Sequence, residues 1–420
     1  MAKPKIRFNG YTEDWEQRKL NEIADKVSEK NKNNEFSEPF TNSAEQGIIS
    51  QKDYFDREIV NNENLNGYYI VRNDDFIYNP RISVTAPVGP INRNRLGRNG
   101  VMSPLYTVFR THDIDNLYLE FYFKTTRWHR FMKLNGDSGA RFDRFTISST
   151  QFMEMPIPYP TLEEQQKIGE YFESLDHLIT LHQRKCEQTK TLKKYMLQKM
   201  FPQDGEKVPQ IRFVGFTEDW EQRKLGDILI GLQNNTLSRA ELSTEAGVAK
   251  NVHYGDVLIK FGEVLDVSKE KLPMISDESV LSKYKSSFLQ NGDVIIADTA
   301  EDSTVGKCSE IAGLDDEVVL SGLHTIPYRP IEKFASGYLG YYLNSSAYHN
   351  QLLPLMQGIK VTSISKAAMQ DTDIVYPKSV KEQGKIGDYF RNLDHLITLH
   401  QRKCDELKEV KKFMLQNMFV

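Results

Sequence analysis

The sequence has few cysteines, no long apolar run and little net charge, and each shortage excludes a class of protein. Its 420 residues include three cysteines, Cys186, Cys308 and Cys404, too few for a disulfide framework and typical of a reducing cytoplasm. No run approaches the roughly 18 apolar residues that span a bilayer, and the first residues lack the apolar stretch of a secretion signal. The net charge of −4 means that any affinity for nucleic acid must come from local basic patches. We therefore expect a cytoplasmic protein without membrane contact.

Catalytic motifs are missing as well. Asn79-Pro80-Arg81 lacks the second proline and the aromatic residue of the adenine methyltransferase motif. The run Val305-Gly306-Lys307-Cys308 has neither the upstream glycine nor the hydroxyl of a phosphate-binding loop. His182 and Cys186 lie one helical turn apart and recur as His400 and Cys404, but ordinary packing is favoured over a zinc site. We predict no catalytic residue and no metal ligand in this chain.

The sequence does contain a long internal duplication. The segment from Ile6 to Leu20 returns almost unchanged from Ile211 to Leu225, and the twelve residues Leu175–Cys186 are identical to Leu393–Cys404. The regions between these shared ends, about 30–155 and 235–372, barely resemble each other. A repeat about 210 residues long is no solenoid, so we interpret the chain as two copies of one frame, each around its own variable region.

Each copy is expected to have the same order of elements. A short amphipathic helix is predicted after the tryptophan motif, from Leu20 to Val27 and from Leu225 to Leu232. Strands are predicted within the variable regions, at Gly67–Val71, Leu117–Phe123, Asp256–Ile259 and Asp293–Ala297, and then at the closing segments Met155–Pro160 and Asp373–Pro377.

A long helix is predicted to follow each closing strand. Thr161 with Glu164, and Ser379 with Glu382, have the spacing of a capping box, and about 37 helical residues would be about 55 Å long. Apolar residues alternate at spacings of four and three, which indicates a coiled coil in which each helix pairs with the other. Further apolar residues lie off this seam and bind either a partner helix or the chain's own domains. The candidates for coiled-coil and partner contacts are Ile168, Phe172, Leu175, Leu178, Ile179, Leu181, Ile386, Phe390, Leu393, Leu396, Ile397 and Leu399.

These motifs resemble those of type I restriction-modification specificity subunits. The likeness rests on the Trp-Glu-x-x-Lys-Leu start and on the helix pattern Glu164-Gln165, Ile168, Phe172, Leu175-Asp176, with its second copy from Glu382. It implies an α+β protein in which two target recognition domains alternate with two long helices, paired as an antiparallel coiled coil with pseudo-two-fold symmetry. The expected parts are recognition domain 1 (1–160), a central helix (161–201), a linker (202–209), recognition domain 2 (210–377) and a second helix (378–420).

The resemblance also implies a function and its partners. Each domain would read one half of a bipartite double-stranded DNA target. The helices would recruit two methyltransferase subunits and, in the full enzyme, two restriction and translocase subunits. S-adenosylmethionine, ATP and Mg²⁺ would belong to those partners. The rival interpretations are a structural coiled-coil adaptor with two protein-binding domains and a standalone nuclease or methyltransferase.

Candidate DNA contacts differ between the two variable regions. Residues 70–145 contain 12 Lys or Arg and 7 Asp or Glu, with several arginines in a stretch, Ala86–Gly100, whose Gly, Pro and Asn content predicts a loop. Arginine suits phosphate and guanine contacts, and asparagine suits adenine. Residues 255–360 contain 9 basic and 15 acidic residues, which argues against strong DNA binding by this region alone. The DNA-binding candidates are Arg81, Asn92, Arg93, Asn94, Arg95, Arg98, Arg127, Arg130, Arg141, Arg144, Lys260, Lys307, His324, Lys360, Thr362 and Ser363.

Overall fold

The computed structural model describes residues 3–54, 62–137, 143–203 and 205–420, and they form two compact units. Unit 1 contains Met1–Gln183 together with Arg402–Val420, whereas unit 2 is the continuous segment Arg184–Gln401. The domain boundaries predicted from the sequence, which give each long helix a region of its own, stay predictions. In the described part of the chain, no helix combines the length and the apolar character that crossing a bilayer requires.

Unit 1 is built from short strands, short helices and segments of two long helices. Its strands are β1 (Glu16–Lys19), β2 (Ala24–Lys26), β3 (Phe40–Ser43), β4 (Gly47–Ser50), β5 (Tyr69–Val71), β6 (Phe76–Tyr78), β7 (Ile91–Arg93), β8 (Gly100–Met102), β9 (Thr107–Thr111) and β10 (Pro156–Tyr159). Its helices are α1 (Gln51–Tyr54), α2 (Asn116–Phe123), α3 (His129–Asn135), α4 (Ser149–Met153) and the beginning of α5 (Leu162–Lys199), with 3-10 turns at Leu20–Glu22 and Asn62–Gly67.

Unit 2 contains the end of α5 and the remaining elements. Its strands are β11 (Glu221–Lys224), β12 (Leu229–Gly231), β13 (Ala249–Val252), β14 (Val264–Asp266), β15 (Met274–Ile275), β16 (Val294–Ala297), β17 (Thr299–Ala300), β18 (Cys308–Ala312), β19 (Val319–Ser321), β20 (Thr325–Pro330), β21 (Thr362–Ser363) and β22 (Asp373–Tyr376). Its helices are α6 (Leu225–Ile228), α7 (Tyr254–Ile259), α8 (Glu278–Tyr284), α9 (Tyr338–Asn344), α10 (Ser346–His349), α11 (Lys366–Gln370) and α12 (Val380–Asn417), with 3-10 turns at Arg239–Glu241, Lys285–Ser287 and Leu353–Leu355. The last part of α12 belongs to unit 1.

The main sheets of the two units have related topology despite their unrelated sequences. The unit 1 sheet has the order β2-β9-β6-β7, with every neighbouring pair antiparallel. The unit 2 sheet has the order β12-β20-β16-β18-β14, in which β14 adds a fifth strand parallel to β18. A buried aspartate precedes each central strand and binds an arginine on the neighbouring strand. Asp75 pairs with Arg110 at 2.7 Å, and Asp293 pairs with Arg329 at 2.7 Å.

The duplicated frame closes each unit in the same way. Strand β1 pairs with β10 in unit 1, and β11 pairs with β22 in unit 2. The Glu164 side chain is completely buried and accepts hydrogen bonds from Arg7 at 2.6 and 2.8 Å and from the Trp15 indole at 3.2 Å. Glu382 binds Arg212 and Trp220 in the equivalent arrangement. The repeated motifs therefore form the same ion pair and tryptophan hydrogen bond to a buried glutamate in each unit.

The capping-box prediction is half confirmed. The Glu164 and Glu382 backbone N–H groups donate to the hydroxyls of Thr161 and Ser379, at 3.4 and 3.3 Å. The two glutamate side chains do not reach back to the cap residue, because each is held by its arginine and tryptophan instead.

The pairing of the long helices is confirmed within each unit. In unit 1, Asp176 at the beginning of α5 pairs with Lys411 near the end of α12, and the rings of Phe172 and Phe419 stack 5.8 Å apart. In unit 2, Asp394 near the beginning of α12 pairs with Lys193 of α5 at 2.6 Å. The rings of Phe390 and Phe201 also stack 5.8 Å apart there. Each pair joins the beginning of one helix to the end of the other, so the segments are antiparallel.

Several local predictions are wrong. The short helix expected at Leu20–Val27 is a 3-10 turn followed by β2, and the equivalent stretch in unit 2 is α6 followed by β12. Leu117–Phe123 and Asp256–Ile259, predicted as strands, lie in α2 and α7. Helix α2 is buried on almost every side, which removes the periodicity that identifies a helix from its sequence. The strands predicted at Gly67–Val71, Asp293–Ala297 and the two closing segments are confirmed.

Candidate nucleic-acid interface

A short backbone pairing in unit 1 brings together two arginines that are 63 positions apart in the sequence. The segment after β6 runs antiparallel to the segment before α4, with hydrogen bonds from Phe145 N to Pro80 O at 2.8 Å and from Ile82 N to Asp143 O at 3.0 Å. Arg81 and Arg144 lie opposite each other across this bridge. The Arg81 side chain is exposed, and no described carboxylate pairs with it. We call residues 80–82 and 143–145 the paired edge of unit 1.

Unit 2 has a paired edge at the corresponding place, after its central strand and before the short helix that precedes the closing strand. Strand β17 pairs with β21, and Ile364 N donates to Asp298 O at 2.9 Å. This edge contains Thr362 and Ser363. The ring of His324 lies beside it, with Nδ1 3.5 Å from the Thr299 hydroxyl and 3.4 Å from the Asp298 carboxylate. We call residues 298–300 and 362–364 the paired edge of unit 2; it brings three of the predicted residues together.

Three other predicted arginines are bound to carboxylates within unit 1. Arg93 lies on β7 with 11% of its side chain exposed, 2.9 Å from Glu120. Arg95 binds Glu120 at 2.7 Å and Glu173 at 2.9 Å, and Arg98 binds Glu38 at 2.8 Å. Burial opposes the charge on Arg95, but Glu173 and Glu120 outweigh it and raise the Arg95 pKa. The hydrogen bond from Arg98 lowers the pKa of Glu38 despite partial burial. Internal ion pairs thus account for much of the positive charge in this stretch.

The expected loop at Ala86–Gly100 is wrong in part, since the stretch contains β7 and the first residue of β8. Its glycines do mark turns, because Gly89 and Gly97 have φ of +83° and +68°. Asn94 is completely buried and donates to the carbonyls of Arg72 and Arg98, both at 3.0 Å. Asn92 donates to Asn42 Oδ1 at 2.7 Å. The expected contact of Asn94 with adenine does not fit this position, because its amide is satisfied inside the unit.

The remaining unit 1 candidates lie apart from these strands. The Arg127 guanidinium donates to the Gln416 carbonyl at 2.6 Å and lines a cleft of about 610 Å³ with Lys124, Lys408, Lys411 and Lys412. Arg130 is exposed on α3. Arg141 lies outside the described residues. Arg127 is therefore placed against the long helix.

The lysines predicted in unit 2 divide into bound and exposed groups. Lys307 is partly buried and donates to the Leu258 carbonyl at 2.8 Å, and burial lowers its pKa. Lys260 donates to the Lys271 carbonyl at 2.8 Å and lies 3.7 Å from Glu270. Lys360 is exposed in the loop between Gln357 and Ser363, which are joined by an antiparallel bridge. Of these three, Lys360 has the position most open to a ligand.

The helix residues predicted for pairing and partner binding also separate into two groups. Seam residues Ile168, Phe172, Leu175, Ile179, Ile386, Phe390 and Leu393 are buried, and Ile397 is half-buried. The off-seam leucines Leu178, Leu396 and Leu399 are exposed, whereas Leu181 is half-buried. The off-seam residues thus leave an apolar stripe on the outside of each helix pair.

Two residues that sequence reasoning missed lie in turns next to the paired edges. Val84 in unit 1 and Ile359 in unit 2 are aliphatic residues with fully exposed side chains. The sequence offers no local signal for them, because the edges form by pairing of segments that are distant in the chain.

Comparison with known proteins gives a consistent result. The family model described as "Type I restriction modification DNA specificity domain" matches residues 12–191 and 217–409. The type I restriction enzyme MjaVIII specificity subunit of Methanocaldococcus jannaschii is 23% identical over 325 residues, which are 76% of this chain and 73% of that relative.

Two solved structures share the fold over nearly the whole chain. The S subunit of a type I restriction-modification system from M. genitalium has a TM-score of 0.54 at 12% identity, covering 100% of this chain and 99% of the other. The HsdS subunit from Thermoanaerobacter tengcongensis has a TM-score of 0.50 at 17% identity, covering 98% of each. With both copies of the frame matched, the chain belongs to the type I restriction-modification DNA specificity family.

Proposed function

We propose that this chain reads a bipartite double-stranded DNA target, with one half of the target bound by each unit. The observation that carries the proposal is a repeated frame around two different paired edges. The frame, with its buried glutamate, arginine and tryptophan, is the same in both units. The edges carry different side chains, namely Arg81 and Arg144 in one unit and Thr299 and Ser363 in the other. Base-edge contacts differ in this way when two different sequences are read.

Exchange of a variable region tests this division of labour. Residues 30–155 are replaced by the corresponding region of a relative with a different target, and the methylated motif is determined by sequencing modified bases. We expect one half of the motif to change and the other half to stay as it was. A change in both halves, or in neither, would contradict the assignment of one half-site to each unit.

We further propose that the outer apolar stripes recruit methyltransferase subunits. Unit 1 exposes Leu178 with Val410 and Phe413, and unit 2 exposes the duplicated set Leu396 with Leu192 and Tyr195. Two equivalent stripes favour two methyltransferase copies. In the complete enzyme, two restriction and translocase subunits join this complex, whose partners hold S-adenosylmethionine, ATP and Mg²⁺, and which acts in the cytoplasm.

A double substitution tests the recruitment proposal. Leu178→Lys with Leu396→Lys is expected to abolish co-purification of the methyltransferase, because each change places a charge in an apolar interface. Leu134→Lys is the matched control, since Leu134 is an exposed leucine on α3 and is not part of a long helix. Retention of the partner by the double variant, with folding intact by circular dichroism, would remove the helices from this role.

The alternative function is that of a structural coiled-coil adaptor, and measuring DNA binding distinguishes it from the proposed function. A specificity subunit is expected to bind duplex DNA with an affinity that falls steeply as salt rises, because phosphate contacts release counterions. An adaptor would show no such slope.

A further inference from the structure

A fully exposed aliphatic residue lies two positions after the paired edge of unit 1. Val84 is 101% exposed. It lies in a tight turn that is closed by hydrogen bonds from Ser83 N to Ala86 O at 3.1 Å and from Ala86 N to Ser83 O at 3.2 Å. The Ser83 hydroxyl also accepts from Ala86 N at 3.1 Å. Because the turn continues directly from the bridged residue Arg81, Val84 is held outward on a fixed backbone.

Unit 2 holds an aliphatic residue outward at its own edge, but on the other loop. Ile359 is 102% exposed, between Gln357 and Ser363, whose backbones exchange hydrogen bonds of 2.9 and 2.8 Å. Gly358 has φ of +114°, and a Cβ atom there would lie 2.0 Å from the Val361 carbonyl oxygen. This turn therefore requires glycine, which fixes the direction in which Ile359 projects.

The neighbours of both residues suit a nucleic acid better than a protein. Arg81 lies three residues before Val84 and opposite Arg144, and Lys360 follows Ile359 directly. Single exposed aliphatic residues are common on protein surfaces, but here each lies in a hydrogen-bonded turn with a cation close to it in the sequence. In the major groove, the C5-methyl group of thymine is the apolar feature that distinguishes A·T pairs, and phosphates lie on either side of it.

We propose that Val84 and Ile359 are base-reading residues, each in contact with a thymine methyl group in its own half of the DNA target. The inference rests on the proposed function and assigns to each half-site one apolar contact that the charged residues do not supply. It predicts that each half of the target contains a thymine whose methyl group contributes to affinity.

Deoxyuridine tests the proposal, because it pairs as thymine does but lacks the methyl group. The full chain, co-expressed with its methyltransferase, selects its motif from a library of random duplexes. Each thymine of that motif is then replaced in turn by deoxyuridine. We expect about a fourfold loss of affinity at one thymine in each half, the value of one buried methyl group. Val84→Ser is expected to abolish that loss in one half only, and Ile359→Ser in the other half only.

Two exposed aliphatic residues on helices, outside the paired edges and their turns, serve as controls. Leu134 on α3 of unit 1 is 74% exposed, and Ile259 at the end of α7 in unit 2 is 89% exposed. Leu134→Ser and Ile259→Ser are expected to keep the wild-type response to deoxyuridine. The inference is overturned if the wild-type protein ignores every replacement, if the edge variants respond as the wild type does, or if the controls lose the response. Failure of the wild-type protein to select any motif would instead overturn the proposed function.

Discussion

Units 1 and 2 place opposite charges at the same position of the same sheet. In unit 1, Arg93 of β7 lies opposite Phe76, the first residue of the central strand, and binds Glu120 of α2. In unit 2, Glu310 of β18 lies opposite Val294, the first residue of its central strand. Glu310 accepts hydrogen bonds from Gly337 N and Gly340 N at the beginning of α9, at 2.5 and 3.0 Å. In unit 1 a cation on the strand binds a carboxylate of the helix. In unit 2 a carboxylate on the strand binds backbone N–H groups at the beginning of the helix. Both arrangements satisfy a charged strand residue that faces a helix.

The comparison shows that a regional charge count does not measure a DNA-binding surface. The basic excess of residues 70–145 includes Arg93, Arg95 and Arg110, which are bound to carboxylates of their own unit. The acidic excess of residues 255–360 includes Glu310 and Asp293, which are buried and bound by backbone amides and by Arg329. Surface potential depends on the charges that remain unpaired and exposed, which at the paired edges are few.

The largest effect is expected from removing the phenylalanine that follows the end of each long helix and packs into a core. Phe419 packs against Tyr118, Tyr122 and Phe172 in unit 1, and Phe201 packs against Tyr338, Tyr342 and Phe390 in unit 2. Phe419→Ala and Phe201→Ala are each expected to lower the free energy of unfolding by about 3–5 kcal/mol. Hydrogen exchange measured by mass spectrometry would locate the losses in unit 1 for Phe419→Ala and in unit 2 for Phe201→Ala. The opposite assignment, or no loss, would contradict the division into these units.

The charge reversal at the strand position predicts that the two units respond differently to pH. Burial raises the pKa of Glu310 to about 7, against the opposing hydrogen bonds from Gly337 and Gly340. Because the folded-state pKa lies above the unfolded value, the stability contribution of Glu310 is present below about pH 4.5 and is lost as the pH rises through about 7. The corresponding loss is about 3 kcal/mol. In unit 1 the equivalent position is held by Arg93 and not by a carboxyl group.

Glu310→Gln provides the measurement, with urea unfolding followed between pH 4.5 and 8. In the variant, the stability of unit 2 is expected not to decline as the pH rises. The stability of the variant relative to the wild type should therefore improve with rising pH. A constant difference between the two proteins would show that Glu310 does not titrate in this window.

An intermediate effect is expected for Arg93. Arg93→Ala leaves Glu120, which is buried, with Arg95 and Lys124 as its remaining cations, and should lower the free energy of unfolding by about 1–3 kcal/mol. The recognised motif is expected to stay the same, as determined by selection from random duplexes. A relaxed motif at unchanged stability would instead support the DNA contact that the sequence predicts for Arg93.

The smallest effect concerns the paired edges. Arg81→Ala and Arg144→Ala are each expected to lower the slope of log affinity against log salt by about one for each phosphate that the variant no longer binds. Lys360→Ala is the unit 2 counterpart. Lys133→Ala, which removes an exposed cation on α3, is the control and should leave the slope unchanged. Equal slopes for all four variants and the wild type would move the DNA interface away from the paired edges.

The duplicated frame could be predicted because the same sequence segments occur twice in the chain. The long helices could also be predicted, since a seam of alternating four-residue and three-residue spacings persists over ten positions, and α5 and α12 have the expected extent. Helix α2 could not, because Tyr118, Leu119 and Phe121–Phe123 are all buried and its beginning depends on a cap in which Asp115 accepts from Tyr118 N at 2.8 Å. Short helices surrounded by core have the composition of strands.

The sequence predicts which residues the candidate site contains, but not which of them lie close together in the fold. Arg81 and Arg144 are both among the residues expected to bind DNA, but no local pattern links positions 63 apart, and their pairing follows from long-range folding. The sequence predicts a loop for Arg93 and Asn94 because Gly and Asn surround them, whereas hydrogen bonds to β6 and its neighbours hold them inside the unit. Composition identifies the residue types available to a surface, and tertiary pairing decides which of them reach it.

Completion of unit 1 by Arg402–Val420 has a consequence for synthesis on the ribosome. Unit 2 has all its residues once position 401 has emerged, whereas the core of unit 1 lacks Phe419 until residues 402–420 have been translated as well. Domains generally fold in the order in which they are made, but here the unit whose chain begins first is finished second. During that interval the aromatic rings of Tyr118, Tyr122 and Phe172 lack their contacts with Phe419, so the nascent chain exposes apolar surface that the finished unit buries.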